Sequence, residues 1–234
     1  MVIDADALDT VATRLRSAER VCWVTGAGIS VASGISPYRK SKDAVWENFI
    51  TDWGTAARLL RDPLAWYRQF WLQAHPSLKP GAPVVFPNPA HKALSTLLRA
   101  KPTHTLITQN IDGLHADAGA PRARLAEIHG RADTFVCTNF KCSMSHTPLT
   151  GITLSGIDVG ELPECDVCGA VLRPLVLLFD EYYDSQPFYR ARDARDWLND
   201  ADVIAFVGTS FSVGITAMAV HAAQASGAVV VNLN

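Results

Sequence analysis

Two cysteine pairs have the most specific spacing in this sequence. Four residues separate Cys137 from Cys142, two separate Cys165 from Cys168, and Gly169 follows directly. Four thiolates close a tetrahedral shell around Zn²⁺ and leave no position for water, so such a metal would be structural. The alternative is four unrelated buried thiols, which the short spacing within each pair disfavours. The pattern predicts one structural zinc ion, and any chemistry must lie elsewhere in the chain.

A glycine turn indicates a nucleotide site. Gly26, Ala27 and Gly28 follow the apolar run 21–24. The backbone N–H groups of such a turn can approach a pyrophosphate, whose charge the start of a following helix favours. Val31 stands where a dehydrogenase fingerprint has its third glycine. Such a fingerprint also has an acidic residue at the end of a second strand about 20 residues on, but here that region has the pattern of a helix. These residues therefore predict a bound dinucleotide that does not serve hydride transfer.

A polar cluster follows a second apolar run. Gln109, Asn110 and Asp112 come directly after residues 104–108. Ligands bind at the carboxyl ends of strands in open α/β sheets. Asn and Asp are also ordinary turn formers, so these residues leave a ligand site and a structural turn both open.

His129 is the candidate general base. It precedes Gly130 at the end of the run 125–128, where a strand is expected to end. The unperturbed pKa of histidine, about 6.5, lies close to working pH, which suits proton transfer. A lone histidine is more often structural, and we assign that role to the others: His75, His91, His104, His115, His146 and His221.

The elements that would position these groups alternate between strand and helix. Residues 4–19 predict a helix with Leu8, Val11, Ala12 and Leu15 on one face. Short β-rich runs predict buried strands at 21–24, 104–108, 203–207 and 229–232. Such strands, separated by segments with a helical pattern, predict an α/β fold with a parallel sheet covered on both faces.

Two stretches interrupt this alternation. Residues 38–88 read as a tryptophan-rich helical insert with a proline-bounded end, and residues 130–172 carry the cysteines. We expect both to form one small module beside the sheet. Aromatic clusters are most often core, and Trp46, Trp53 and Trp66 are first assigned that role.

Composition narrows the classes of function. The chain has 234 residues, 48% hydrophobic and 19% charged, with a net charge of −2. This is typical of a globular protein and gives no electrostatic footprint for nucleic acid. No apolar run approaches the roughly 20 residues that span a bilayer, and residues 1–20 lack the features of a secretory signal. With four cysteines assigned to metal, the cytoplasm is the expected location.

Taken together, the motifs resemble those of the sirtuins, which are NAD-dependent protein-lysine deacylases. The shared motifs occur in the same order over residues 20–234: GAGIS (26–30), SGI (33–35) with Arg39, TQNIDGLH (108–115), HG (129–130), the two cysteine pairs, RP with FDE (173–181) and GTS (208–210). The resemblance implies a Rossmann-like large domain and a small domain built from a zinc module and a helical module. Their expected bounds are 1–37, 89–130 and 173–234 for the large part, 38–88 for the helical module and 131–172 for the zinc module.

The resemblance also implies a reaction and a role for each site residue. The carbonyl oxygen of an acyl-lysine protein or peptide would attack the ribose C1′ of NAD as nicotinamide leaves, and the acyl group would end on ADP-ribose. His129 would be the base acting on the ribose hydroxyls. The implied cofactor contacts are Gly26, Ala27, Gly28, Ser30, Tyr38, Arg39, Gln109, Asn110, Asp112, Gly208, Thr209, Ser210 and Asn232. The implied substrate contacts are Val176, Phe179, Glu181 and Val213.

Two departures from the family pattern keep other hypotheses open. Ser36 and Pro37 stand where sirtuins carry Pro-Asp, and Asp180 replaces the glycine of Phe-Gly-Glu. They motivate a second hypothesis, an NAD-consuming ADP-ribosyltransferase or NAD hydrolase on the same fold. A third, a zinc-stabilised binding module without enzymatic activity, is disfavoured by the near-neutral charge.

The helical insert contains the positions that indicate which acyl group is preferred. Sirtuins that prefer succinyl or malonyl groups resemble one another in a Tyr-x-x-Arg pair, which neutralises the extra carboxylate. Counting from Asp62-Pro63, these positions fall at Phe70 and Gln73, and Arg68 lies on a different face. The sequence therefore predicts a preference for neutral acyl groups.

Overall fold

A computed structural model of the chain describes residues 5–35, 44–211 and 214–234. The α-helices in these ranges are α1 (Ala5–Ser17), α2 (Ala44–Trp53), α3 (Ala56–Arg61), α4 (Pro63–Ala65), α5 (Leu72–Ala74), α6 (Pro89–Ala100), α7 (Leu114–Asp117), α8 (Ala191–Asp200) and α9 (Gly214–Ser226). The strands are β1 (Val21–Thr25), β2 (Thr105–Thr108), β3 (Leu125–Glu127), β4 (Gly130–Cys137), β5 (Leu172–Val176), β6 (Val203–Val207) and β7 (Val229–Leu233).

Five strands form the parallel sheet that the apolar runs predicted. The order is β3-β2-β1-β6-β7, and every neighbouring pair is parallel. All five residues of β1 are buried, because apolar clusters cover both faces of the sheet. Val11 and Leu15 of α1 pack on one face, whereas Leu8 is largely exposed. The Rossmann-like α/β class is confirmed.

Parallel strands bring the predicted motifs to one edge of this sheet. Hydrogen bonds extend the ladders past the strand ends: Gly26 N donates to Val207 O, Gln109 N to Thr25 O and Ile128 N to Thr108 O. The glycine turn, the polar cluster, the histidine and the GTS turn therefore meet where ligands bind in open α/β sheets.

The two interrupting stretches share a second core. Strands β4 and β5 form an antiparallel pair, and apolar residues of this segment pack in one cluster with those of the helical insert. The Tyr67 hydroxyl, fully buried, donates to Leu172 O at 2.7 Å. The two stretches therefore pack together around one apolar cluster, separate from those on the sheet.

Trp66–Trp71 is a turn of π-helix between α4 and α5. Its i→i+5 hydrogen bonding aligns residues five apart, and the Trp66 and Trp71 rings stack at 5.2 Å with 13° between their planes. Trp53 is half-buried, and the side chain of Trp46 lies outside the described residues. No helix within the described ranges is long and apolar enough to cross a membrane.

Candidate active site and metal centre

The glycine turn packs directly on the GTS turn. Gly28 N donates to Gly208 O at 2.8 Å, and a Cβ added to Gly28 would lie 2.7 Å from the Gly208 Cα. A Cβ on Gly26 would lie 2.9 Å from Gly208 O. Gly208 has φ of 63°, which favours glycine. Contact this close requires the residues to be glycines, and Ala27 and Gly28 remain accessible at the surface.

Ser30 joins the two halves of the predicted polar cluster. Its Oγ donates to Asp112 Oδ2 at 2.6 Å and accepts from Asn110 Nδ2 at 3.0 Å. Asn110 Nδ2 also donates to Gly26 O at 3.1 Å, and Asp112 Oδ1 caps Leu114 N at 3.0 Å. Ser30 is fully buried. A hydroxyl, an amide and a carboxylate thus stand together with fixed hydrogen-bond roles.

Gln109 links this cluster to the GTS turn. Its Nε2 donates to Thr25 O at 3.2 Å and to Thr209 Oγ1 at 3.1 Å. Thr209 is held from the other side, because Thr209 N donates to Asn234 Oδ1 at 2.9 Å and Asn234 Nδ2 donates to Thr209 O at 2.8 Å. Ser210 and Asn232 are exposed nearby in the chain. The turn is therefore rigidly attached to the ends of β1 and β2.

His129 lies against the same loop with one ring nitrogen fixed. Its Nδ1 is 2.8 Å from Gln109 O, and a carbonyl can only accept, so Nδ1 carries the proton and Nε2 is the free base. Burial lowers the pKa of His129 below its usual 6.5, partly offset by that hydrogen bond. The imidazole therefore stays neutral near neutral pH.

A buried layer beneath Ser30 was assigned only a structural role from the sequence. His91 Nδ1 accepts from Asn88 N, so its Nε2 donates to Ser30 Oγ, at 3.4 Å. His115 Nε2 lies 3.0 Å from Thr25 Oγ1, and burial lowers the pKa of His115 to about 3. The local signal for His91 is a capping box, in which Asn88 begins α6 and His91 folds back on it.

Arg131 ties the polar loop to the histidine strand. Its guanidinium lies so close to Gly113 that a Cβ there would be 2.6 Å from the Arg131 Cζ. It pairs with Asp133 at 2.7 Å and with Glu127 at 3.6 Å. Glu127 is almost fully buried, which raises its pKa to about 7. Sequence analysis did not identify this group, although Glu127, Arg131 and Asp133 are close in the chain, because its approach to Gly113 exists only in the folded structure.

The departure at Asp180 has a structural partner. Its carboxylate accepts from Ala56 N at 2.7 Å and from Ala57 N at 3.1 Å, which caps the start of α3. The neighbouring Phe179 is 61% exposed, and its N donates to Gly54 O at 2.9 Å. The Asp180 side chain therefore points to the helical insert.

Glu181 and Val176 frame this segment from the other side. Glu181 pairs with Arg173 at 2.8 Å and accepts from Leu178 N at 3.0 Å. Val176, at the end of β5, is buried. Tyr38, Arg39 and Val213, which the sequence also assigned to the site, lie outside the described residues, as do Ser36 and Pro37.

The four predicted cysteines meet in one cluster. All four Sγ atoms lie within 4.8 Å of one another, with Cys137–Cys168 at 3.5 Å and Cys142–Cys165 at 3.9 Å. Zn–S bonds of about 2.3 Å in a tetrahedron place sulfurs ~3.8 Å apart, so the spacing fits. Gly169 turns beneath the pair with φ of 71°. The cluster fits a structural zinc ion, as predicted.

Comparisons with known proteins agree with this geometry. The model of the Sir2 family matches residues 26–214. The chain is 36% identical over 240 residues to the NAD-dependent deacetylase sir2E of Dictyostelium discoideum, covering 96% of this chain and 68% of that protein. It is 34% identical over 237 residues to an NAD-dependent protein deacylase of Ralstonia nicotianae, covering 100% of this chain and 87% of the relative.

Solved structures show the same likeness. A Sir2 homologue in complex with NAD superposes with a TM-score of 0.77 at 28% identity, covering 100% of this chain and 83% of that one. A Sir2 protein bound to a p53 peptide and NAD⁺ superposes with a TM-score of 0.72 at 25% identity, covering 96% and 85%.

Proposed function

Because this chain belongs to the Sir2 family, the sirtuins, we propose that it is an NAD-dependent protein-lysine deacylase. It transfers the acyl group of a modified lysine to ADP-ribose and releases nicotinamide. The main supporting observation is His129: its Nδ1 proton is held by Gln109 O, the residue before Asn110 of the Ser30–Asn110–Asp112 cluster, so that Nε2 is left as a base. The names of the compared relatives, deacetylase and deacylase, support it.

The residues at the sheet edge offer groups suited to each part of NAD. The Gly26–Ala27–Gly28 backbone and the Gly208–Thr209–Ser210 turn would hold the phosphates, with Asn232 beside the adenosine ribose. Gln109 would contact the other ribose. The carboxamide of nicotinamide donates through its N–H groups, and Asn110 Oδ1 and the Asp112 carboxylate offer acceptors for them, since the Asn110 amide protons are engaged by Gly26 O and Ser30 Oγ. When bound, NAD supplies a ribose carbon that becomes electrophilic as nicotinamide leaves. Tyr38 and Arg39 are proposed for the same ligand.

His129 would take a proton from a ribose hydroxyl. The pKa of its imidazole, lowered by burial, keeps Nε2 unprotonated at neutral pH, as a general base requires. Gln109 O fixes the ring orientation, and the Gln109 side chain is bound to Thr25 and Thr209. The base and the proposed ribose contact therefore lie on neighbouring loops that are joined by the hydrogen bond between His129 and Gln109.

The acyl-lysine segment would bind along the chain that follows β5. Phe179 is exposed there, and Val176 is buried behind it. Glu181 holds this segment in shape through Arg173 and Leu178. Together with Val213, these residues are proposed to contact the substrate. A peptide bound to a Sir2 protein of the same fold supports this class of substrate.

ADP-ribosyl transfer to protein, or NAD hydrolysis, was the alternative that Asp180 and the Ser36–Pro37 departure motivated, and the latter lies outside the described residues. Because the Asp180 carboxylate caps α3, its side chain is directed to the helical insert while Phe179 stays exposed, and the Asp180 departure does not favour a different acceptor.

The test is a product analysis. Purified protein is incubated with NAD and an acetyl-lysine peptide, and the products are separated by mass spectrometry. O-acetyl-ADP-ribose, free nicotinamide and deacetylated peptide are expected in equal amounts. ADP-ribosylated protein, or free ADP-ribose formed without the peptide, would favour the alternative, and absence of NAD cleavage would exclude both.

The bounds of the modules, the reaction type and the location of the protein are also proposed. We propose that the large part comprises residues 1–37, 89–130 and 173–234, with the helical module at 38–88 and the zinc module at 131–172. The separate apolar clusters on the sheet and around the cysteines support this division. The reaction is formally an acyl transfer to ADP-ribose with hydrolytic release of lysine. A cytoplasmic location is proposed, since zinc-binding thiolates persist in a reducing compartment.

A further inference from the structure

Tyr183 is a half-buried side chain that the proposed reaction does not use, yet its ring faces the proposed base. The Tyr183 and His129 rings are parallel within 5°, with centroids 5.9 Å apart. Tyr183 also packs on the apolar cluster that contains Ile215. The phenol ring therefore adjoins both the imidazole and this part of the core.

The Tyr183 hydroxyl is attached to the start of α9. The phenolic oxygen lies beside the first residues of that helix: a Cβ added to Gly214 would be 3.5 Å from it, and the backbone of Ile215 faces it closely enough to lower the pKa of Tyr183, partly offsetting the rise caused by burial. Helix α9 follows the GTS turn in the chain. Tyr183 thus connects His129 to the element that comes after the proposed phosphate-binding turn.

We propose that Tyr183 is a positioning residue for His129. Its ring covers one face of the imidazole against water, and its hydroxyl holds that ring in place through α9. With Nδ1 engaged by Gln109 O, this cover leaves the Nε2 edge as the exposed part of the base. The inference rests on the proposed function of His129.

The charged groups on the elements packed against His129 are engaged elsewhere. They belong to the loop after β2, to β3 and β4, and to the segment between β5 and α8. The pairs are Asp112 with Ser30, Glu127 with Arg131, Glu181 with Arg173, and Asp184 with Arg195. Access of water to the ring, more than a neighbouring charge, then governs its protonation.

The direct test is an NMR titration of His129 in isotope-labelled, zinc-loaded protein without NAD or peptide. The imidazole signal of His129 is identified as the one that is absent from the spectrum of His129→Ala. In wild type the pKa of His129 is expected below 6.5. Tyr183→Ala, which admits water, should raise it toward the usual value, and Tyr183→Leu should raise it less. Tyr183→Phe, which keeps the ring, should leave it near that of wild type.

Controls separate this effect from general damage. Tyr182→Ala removes the neighbouring tyrosine, which is 82% exposed, and should leave the His129 titration unchanged. If Tyr183→Ala does not fold, Tyr183→Leu still decides the question, because it fills much of the same volume. An unchanged pKa of His129 in the folded Tyr183→Leu and Tyr183→Ala proteins would overturn the proposal.

Kinetics then distinguish this inference from the proposed function. In Tyr183→Ala, kcat/KM should fall about ten- to a hundred-fold, as expected when a catalytic group is misplaced. The acidic limb of the pH profile of kcat/KM should move by the same amount as the pKa of His129 measured by NMR. A wild-type protein that cleaves no NAD would refute the proposed function, while the titration would still judge Tyr183. An active enzyme whose acidic limb stays in place in the folded variants would refute the role of Tyr183 alone.

Discussion

At His129 a backbone carbonyl decides which ring nitrogen can act as the base. Gln109 O accepts from Nδ1 at 2.8 Å, so the lone pair resides on Nε2. Gln109 is in turn held by Thr25 and Thr209. The side chain that would perform the proposed proton transfer is thus oriented by a residue that is itself proposed to contact NAD.

Replacement of His129 by alanine should abolish deacylation and leave the fold intact. Proton transfer by a positioned side chain contributes ~10²–10⁴-fold, so kcat/KM should fall by about that factor. Release of O-acetyl-ADP-ribose is measured beside zinc content and circular dichroism. His221→Ala is the matched control, because His221 is exposed on α9. Activity of His129→Ala within a factor of two of wild type would remove His129 from the mechanism.

The wild-type pH profile should reflect the pKa of this imidazole. Burial lowers the pKa of His129 below 6.5. Since the neutral ring is the active form, kcat/KM should be flat at neutral pH and fall as the pH drops through that lowered pKa. The profile is measured with the acetyl-lysine peptide at saturating NAD. An acidic midpoint above 6.5 would contradict the assignment.

At the scale of elements, the cysteine cluster joins the end of the β4–β5 strand pair to the turn that precedes β5. Cys137 ends β4 opposite Leu172 of β5, and Cys165 and Cys168 lie on the turn before β5. The sulfur spacing suits a tetrahedral ion.

One tightly bound Zn²⁺ per chain is expected. Replacing Cys165 by serine should lower both zinc content and stability, because in such modules the free energy of metal binding is also free energy of folding. Metal analysis and thermal unfolding are the measurements. Cys22→Ala is the control, since Cys22 is buried in β1 and outside the cluster. Freshly purified protein without zinc would contradict the site.

Asp180 connects two elements that the family pattern would leave unlinked at this position. Asp180→Ala removes the acceptors of Ala56 N and Ala57 N at the start of α3. Loss of a cap costs about 1 kcal/mol, which lowers Tm by about 2–4 °C in a protein of this size. We also expect a higher KM for peptide with little change in kcat, because Phe179 is held beside the same helix.

The comparison is with Asp184→Ala, which breaks an exposed pair with Arg195 and should change stability little. Equal effects of the two substitutions on Tm and on peptide KM would argue against a specific role for Asp180.

At the scale of the whole molecule, the contact between the two modules bears on the acyl group. Arg68 donates to Ile157 O and Asp158 O of the cysteine segment, at 2.8 and 2.6 Å. Phe70 is buried and apolar, and Gln73 is exposed with its Oε1 3.1 Å from Lys79 Nζ. Arg68 is therefore committed to joining the modules.

Neutral acyl groups should be preferred over acidic ones. Burying an unpaired carboxylate costs several kcal/mol, so kcat/KM for an acetyl-lysine peptide should exceed that for its succinyl form by at least about ten-fold. The two forms of one peptide are compared under the same conditions. A preference for the succinyl peptide would contradict this prediction. Lys79→Ala would then show whether the Lys79 ammonium neutralises the succinyl carboxylate.

Local patterns in the chain predicted much of this molecule. The runs at 21–24 and 203–207 became buried strands because β-branched and aromatic residues suit a covered parallel sheet. The cysteine spacing predicted the zinc cluster because ligand geometry restricts how far apart paired thiolates can lie. The glycines at positions 28 and 208 likewise indicate a close approach of two backbones, since only glycine permits this contact.

Tertiary structure alone decided the contacts that orient these groups. Asp180 meets Ala56, 124 positions away, and Asp112 meets Ser30 across 82 positions. The placement of Tyr183 against His129 has the same origin. No local pattern encodes such pairs, because each exists only after packing has closed the intervening chain, and the same side chains in another topology would face water.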